Sequence, residues 1–333
     1  MRTSSPTRIS PLVGGALALV LASSLFAGAG PAAANRASPA PAAAGYRLID
    51  LGTLGGESSF ATAMNDRGAV VGRAQTADGA YHGFVWRNGA MADLGLFSPM
   101  DINNRGQIVG TRDDVNGAYV WTRGTLTPLG GGLTFATAIN DRGQVVGLRA
   151  VDGGLDVPAL WSKGTVRTLP LNTVSDINNR SQISGGRASG TSGFHASVWQ
   201  RGRVTDLGAA AFDRSNTYRI NDNGWVIGWT FSVQQFERGA LWRHGTRTDL
   251  GTLGGESTHA VAINDRGVIL AASQLADGFV HPALWRRGVL TDLTTVGVQA
   301  DVDLADYNNR GEIAGSIRPV FGVAHAVVYR PGH

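Results

Sequence analysis

The side chains of this chain that suit acid–base or metal chemistry are histidines and carboxylates; cysteine is absent. That excludes a thiolate nucleophile, a thiolate metal site and any disulfide. His82, His195, His281 and His325 recur at the starts of apolar segments. Tens of residues separate them, so they lack short-range metal-ligand spacing and read as strand-end residues. Glu57, Glu256 and His259 lie in or beside two Gly-Gly-Glu-Ser stretches, and Asp213 and Arg214 lie in a longer loop. Asp301, Asp303 and Asp306 form an acidic cluster. Carboxylates beside a histidine suit general acid–base catalysis. The Asp cluster has the ligand type for calcium but not the spacing of an EF-hand loop. Glu57, Asp213, Arg214, Glu256, His259, Asp301 and Asp303 are therefore the candidate ligand residues of one face, with no resident metal or cofactor expected and calcium as the alternative. The Gly52–Gly56 and Gly251–Gly255 loops are not phosphate loops, because no Lys-Ser/Thr follows them. Their glycines suit a crossing from the outer edge of one sheet to the inner strand of the next.

The second chemical signal is basic. Arg67, Arg105, Arg142, Arg180, Arg266 and Arg310 follow a repeated Asn-Asp or Asn-Asn pair, and Arg123, Lys163, Arg201 and Arg287 precede a glycine. With Arg87, Arg243, Arg286 and Arg330 they place fourteen positive charges at tight turns, opposed there by Asp66, Asp141, Asp222 and Asp265. The whole chain carries only +4. The turn face is thus strongly basic and the remainder acidic. Such a face attracts a polyanion: a wall polymer, an acidic polysaccharide or nucleic acid. The plainer alternative is arginine tolerated at a solvated turn and multiplied by duplication. No base-reading motif is present, so specific DNA recognition is not expected.

These residues must be positioned by something periodic. An apolar residue followed by Asn recurs at Asn65, Asn103, Asn140, Asn178, Asn221, Asn264 and Asn308. Each Asn opens a turn before an apolar strand. A second strand ends in an aromatic, at Trp86, Trp121, Trp161, Trp199, Trp242, Trp285 and Tyr329. A turn and a strand ending in Asp-Leu-Gly or a relative follow. In the first repeat the strands are expected at Phe60 to Met64, Ala69 to Gln75, His82 to Trp86 and Met91 to Leu94. Four short strands in about 40 residues is the pattern of a β-propeller blade. The expected fold is all-β, a seven-bladed β-propeller of four-stranded blades over residues 46–333. The last repeat lacks a fourth strand, and Tyr46 to Gly52 supplies one, so the N-terminal strand is expected to complete the last blade and close the ring. The aromatic at each repeat-fixed position reads as packing against the neighbouring blade; the alternative is an aromatic sugar platform. Ser181 stands where the other turns carry glycine. If it has positive φ, Ser181→Gly is expected to stabilise by about 0.5–1 kcal/mol.

Composition agrees. In 333 residues there are 47 glycines, 43% hydrophobic residues and 16% charged residues. That is too apolar for disorder and too glycine-rich for a helical protein. Arg2 and Arg8, an apolar stretch from Leu12 to Ala27 and Ala32-Ala33-Ala34 read as a secretory signal peptide over residues 1–34. Residues 35–45 read as a Pro/Ala linker. The mature chain is expected to be secreted, monomeric and without a membrane span.

The stretch Asp50 to Ser58, repeated identically from Asp249 to Ser257, together with Ile139 to Gly147 and His82 to Trp86, resembles the extracellular HAF repeat family. The resemblance covers residues 46 to 333. It departs at Gly117, Val157 and Arg238, which replace the family's histidine. It implies an extracellular protein and assigns no activity. Three functions fit the residues. The first is a non-catalytic binding or scaffold propeller for an extracellular or cell-wall polymer or protein. The second is a hydrolase or lyase on the loop face, and the third a repeat lectin. Repeat regularity favours the first, since an enzyme needs a few unlike residues converging.

Overall fold

Alternating apolar and polar residues between glycine turns fold as antiparallel strands. The computed structural model describes residues 45–112, 114–189, 193–208, 214–231, 236–318 and 323–332, within the unit Ala43–His333. The expected signal peptide, residues 35–44 of the expected linker, and Asp213 lie outside them. The first repeat gives β2 (Gly55–Met64), β3 (Val70–Thr76), β4 (Tyr81–Arg87) and β5 (Ala90–Asp93), paired in that order. Equivalent four-stranded sheets follow: β6 (Phe97–Ile102) to β9 (Thr125–Pro128), β10 (Leu133–Ile139) to β13 (Thr165–Thr168), and β14 (Thr173–Ile177) to β17 (Arg203–Asp206). The strands β18 (Ser215–Ile220) to β21 (Thr246–Asp249) and β22 (Gly254–Ile263) to β25 (Val289–Asp292) are joined by one parallel pair, Arg238↔Thr258. The last sheet holds β26 (Asp303–Tyr307), β27 (Ile313–Ile317), β28 (His325–Pro331) and, as its fourth strand, β1 (Tyr46–Asp50). Four-stranded antiparallel sheets in series are the unit of a β-propeller.

One expectation needs correction. The Gly-Gly-Glu-Ser stretch is not a loop in either copy; it forms the start of β2 and of β22. The Glu57 and Glu256 amides donate to the Gln75 and Gln274 side chains, which extends each strand by several residues.

Every first strand of a repeat carries a bulge just before its final apolar residue, as between Ala61 and Ala63 or between Thr217 and Arg219. A bulge places an extra residue and re-aims the side chains around it. The second strand answers with glycine: a Cβ on Gly72 would sit 1.9 Å from the Phe60 carbonyl oxygen.

The core lies between sheets. Trp86 packs with Ala314, Ala326 and Val328 of the last sheet, and Trp199 packs with Ala138, Val146 and Leu160 of the preceding one. Tyr329 is fully buried against Ala262 and Leu270. The repeat-fixed aromatics therefore pack against the neighbouring repeat. Each interface buries only its own neighbours, so stability is close to a sum of nearest-neighbour terms.

Candidate functional site

The Asn that opens each repeat accepts from its own turn, and in six of the seven it also reaches the next repeat. Its Oδ1 accepts the amide N–H groups two and four residues on: Arg142 and Gln144 for Asn140, at 3.0 Å each. Its Nδ2 reaches sideways, from Asn140 to the Asn178 carbonyl at 3.0 Å and from Asn308 to that of Asn65 at 3.2 Å. These asparagines are buried. The residue after each Asn forms a second tier. Its amide donates to the Oδ1 of the equivalent residue in the next repeat, through Asp66, Asn104, Asp141, Asn179, Asp222, Asp265 and Asn309, and back to Asp66. The Asn104 amide group also bridges Asp66 and Asp141, at 3.0 and 3.2 Å. The Asn179 and Asn309 amide groups bridge their flanking carboxylates in the same way. Both tiers line a cavity of about 170 Å³. Its four carboxylates make the centre of the turn face acidic.

The basic residues surround that centre. Arg67, Arg105, Arg142, Arg180, Arg266 and Arg310 are exposed, as are Arg123, Lys163, Arg201 and Arg287. Arg310 is partly neutralised by buried Glu312, which also pairs with Arg330. Arg123, Lys163, Arg201 and Arg287 occupy left-handed backbone, with φ of 49–51°. The basic face of the sequence is thus a basic rim around an acidic centre. Sequence counting put both charges on one face but could not separate rim from centre.

Ser181 does take positive φ, at 60°. Its hydroxyl donates to Gln144 Oε1 of the preceding repeat at 2.6 Å, a contact glycine would lose. Relief of about 1 kcal/mol of backbone strain is offset by a hydrogen bond of similar worth. Ser181→Gly is therefore expected to leave the melting temperature nearly unchanged rather than raise it; thermal denaturation of the variant checks this.

A second cavity, of about 150 Å³, is lined by Asp101, Asp176, Asp306 and Arg219. Each carboxylate accepts two backbone amides, its own neighbour's and one from the next repeat: Asp101 from Ile102 and Ile139, Asp176 from Ile177 and Ile220, Asp306 from Tyr307 and Met64. All four side chains line this cavity. Burial, reinforced by Asp176 and Asp306, pushes the Asp101 carboxyl up to about 7. Asp176 and Asp306 are raised by the same desolvation. A carboxyl raised in the folded state binds its proton there more tightly than in the unfolded chain. Its cost is absent at low pH and grows as pH climbs from about 4 towards 7. Asp101→Asn is expected to flatten the fall in melting temperature between pH 5 and pH 8 (order of a few kcal/mol at most), read by thermal melts across pH.

This cavity was not legible in the sequence. Asp101, Asp176, Arg219 and Asp306 occupy the same repeat position, where the other repeats carry Ala63, Ala138 and Ala262. The signal was there, but the bulge that turns the position inward was not. Asp306 is thereby separated in role from exposed Asp301 and Asp303, and no three His, Asp or Glu side chains form a metal-binding group among the described residues.

On the loop face the repeat histidines find partners that sequence reading left unpaired. His82, His195, His281 and His325 meet Asp93, Asp206, Asp292 and Asp50 at 2.9, 3.0, 2.8 and 2.7 Å. Each Asp belongs to the fourth-strand motif and also accepts an amide two residues on, as Asp93 does from Gly95. Where Arg238 replaces the histidine it pairs with Asp249. Where Gly117 and Val157 replace it, the Asp is replaced too, by Pro128 and Thr168. The pairs are thus strand staples. Burial raises the Asp292 carboxyl, but hydrogen bonds from His281 and Thr294 outweigh it and hold the group below its usual range.

Glu57, Glu256, Arg214, Asp301 and Asp303 are exposed. His259 instead meets Glu237, a residue the sequence reading passed over, at 2.7 Å, with the Tyr218 hydroxyl 3.3 Å from both.

No family model matches the chain, and no curated protein does. Solved structures do. The chain is similar to a puromycin-hydrolysing peptidase from Mycobacterium tuberculosis, at 12% identity and TM-score 0.57, over 85% of this chain and 50% of the other. It is similar to an acylaminoacyl peptidase from Pyrococcus horikoshii, at 11% identity and TM-score 0.55, over 82% and 52%. It is also similar to YCF48, solved bound to D1 peptide, at 11% identity and TM-score 0.51, over 86% and 95%. The chain spans about half the length of the two peptidases. At such identities the likeness is one of fold alone.

Proposed function

We propose that this chain is a secreted propeller of seven blades, closed by its N-terminal strand, that binds an anionic extracellular or cell-wall polymer along a basic rim. The motif resemblance to HAF repeats supports the extracellular placement. The pairing of β1 with β28 and the circuit of seven hydrogen bonds that returns to Asp66 support the closed ring. The rim arginines carry the function. They repeat at one turn position in six repeats, each on a turn locked by its Asn, so their spacing is set by the fold. Four further basic residues sit in left-handed backbone that Asn or Gly would occupy at lower cost. The acidic centre directs a polyanion to the rim rather than into the cavity.

The test is sedimentation with an anionic wall polymer at about 50 and about 500 mM salt, since exposed charges are largely screened at the higher value. Retention at low salt that vanishes at high salt is expected. Reversing Arg105, Arg142 and Arg180 to Glu, three exposed residues on consecutive repeats, is expected to abolish it. Retention by the triple variant, or none by the native chain, would refute the rim as the binding surface. Among the described residues no helix is long and apolar enough to cross a membrane.

A further inference from the structure

We infer that Glu237, His259 and Tyr218 form an acid–base site for hydrolysis of carboxylic esters, an activity beyond the binding role. Four observations separate this cluster from the His–Asp staples. It occurs once: the positions of Tyr218 and His259 carry other residue types in the remaining repeats, such as Thr62 and Phe60 in the first. It joins two repeats, with His259 on β22 and its partners on β18 and β20 (Glu237–Arg243). Among the described residues its carboxylate holds no turn amide, only the imidazole Nδ1 at 2.7 Å and the phenol at 3.3 Å. The His259 side chain is 43% exposed, against 19–29% for the staple histidines.

The chemistry follows from the bonding. Glu237 fixes the proton on Nδ1 and so leaves the Nε2 lone pair as a base. Nε2 has no hydrogen-bond partner among the described residues. The Tyr218 ring lies against the imidazole, with centroids 4.6 Å apart. Burial, then the Glu237 charge, hold the phenol protonated, so it is a donor. A water proton passes to Nε2 as the water oxygen bonds the acyl carbon, while the Tyr218 hydroxyl, donating to Glu237 Oε1, holds the carboxylate against Nδ1. The C–O bond to the leaving group then breaks, and the imidazolium returns its proton to the alkoxide. The products are a carboxylic acid and an alcohol. One carboxylate beside one imidazole suits this step, whereas glycoside hydrolysis uses two carboxyl groups.

The probe is p-nitrophenyl acetate with the full-length chain. His259→Ala is expected to lower kcat by about 100-fold, and Tyr218→Phe by about 10-fold. Glu237→Gln should lower kcat with little change in KM, as a positioning residue does. His195→Ala, which removes a staple of similar make-up, should change the rate less than twofold. Melting temperatures of all four accompany the rates; if His259→Ala is unfolded, Tyr218→Phe and Glu237→Gln decide. Native turnover no faster than in those variants, or an equal loss in His195→Ala, would overturn the proposal.

Discussion

A chain lacking Tyr46 to Gly52 is expected to be insoluble or aggregated. The missing strand pairs with β28 at five positions, from Tyr46↔Pro331 to Asp50↔Val327. Its loss leaves a row of unpaired backbone groups on β28, a template for intermolecular pairing. It also uncovers a core. Leu51 packs with Trp86, Ala326 and Val328, and the Asp50 carboxylate holds His325. The N–H of Leu51 donates to the Ala326 carbonyl, so the deletion orphans groups beyond the strand itself. The combined loss is comparable with the total stability of a domain, about 5–15 kcal/mol. Soluble yield and a thermal melt check it, and an unchanged melting temperature would show that the first and last sheets do not depend on this strand.

Asn140→Ala is expected to cost about 3–5 kcal/mol, because several buried polar groups are orphaned at about 1–3 kcal/mol each before relaxation. The Arg142 and Gln144 amides lose their acceptor, and the Asn178 carbonyl and Gln144 Oε1 lose a donor. Three of these contacts hold the turn and one holds the next repeat. The adjacent Arg142→Ala, on an exposed side chain, should stay within about 0.5 kcal/mol. Chemical denaturation of both variants measures the contrast. Equal losses would mean that the Asn works only as a solvated turn residue.

The two outcomes separate what sequence alone determined from what folding decided. Residue types and spacing determined the local structure: the Asn turns, the aromatic that ends each third strand, and the strand borrowed from the N-terminus. Each rests on a chain-local rule, a period of two along a strand or a backbone angle that few residues tolerate. Tertiary structure decided which of those residues meet. His82 and Asp93 belong to two motifs, and only the hairpin register brings them together. Asp101, Asp176 and Asp306 lie scattered along the sequence, and the bulges turn them towards one cavity with Arg219. Glu237, Tyr218 and His259 come from three strands of two repeats. Sequence reading placed the basic and acidic turn residues on one face, but the rim and the centre differ by the radius at which each turn position ends. That radius is a property of how the sheets pack, which no window of sequence contains.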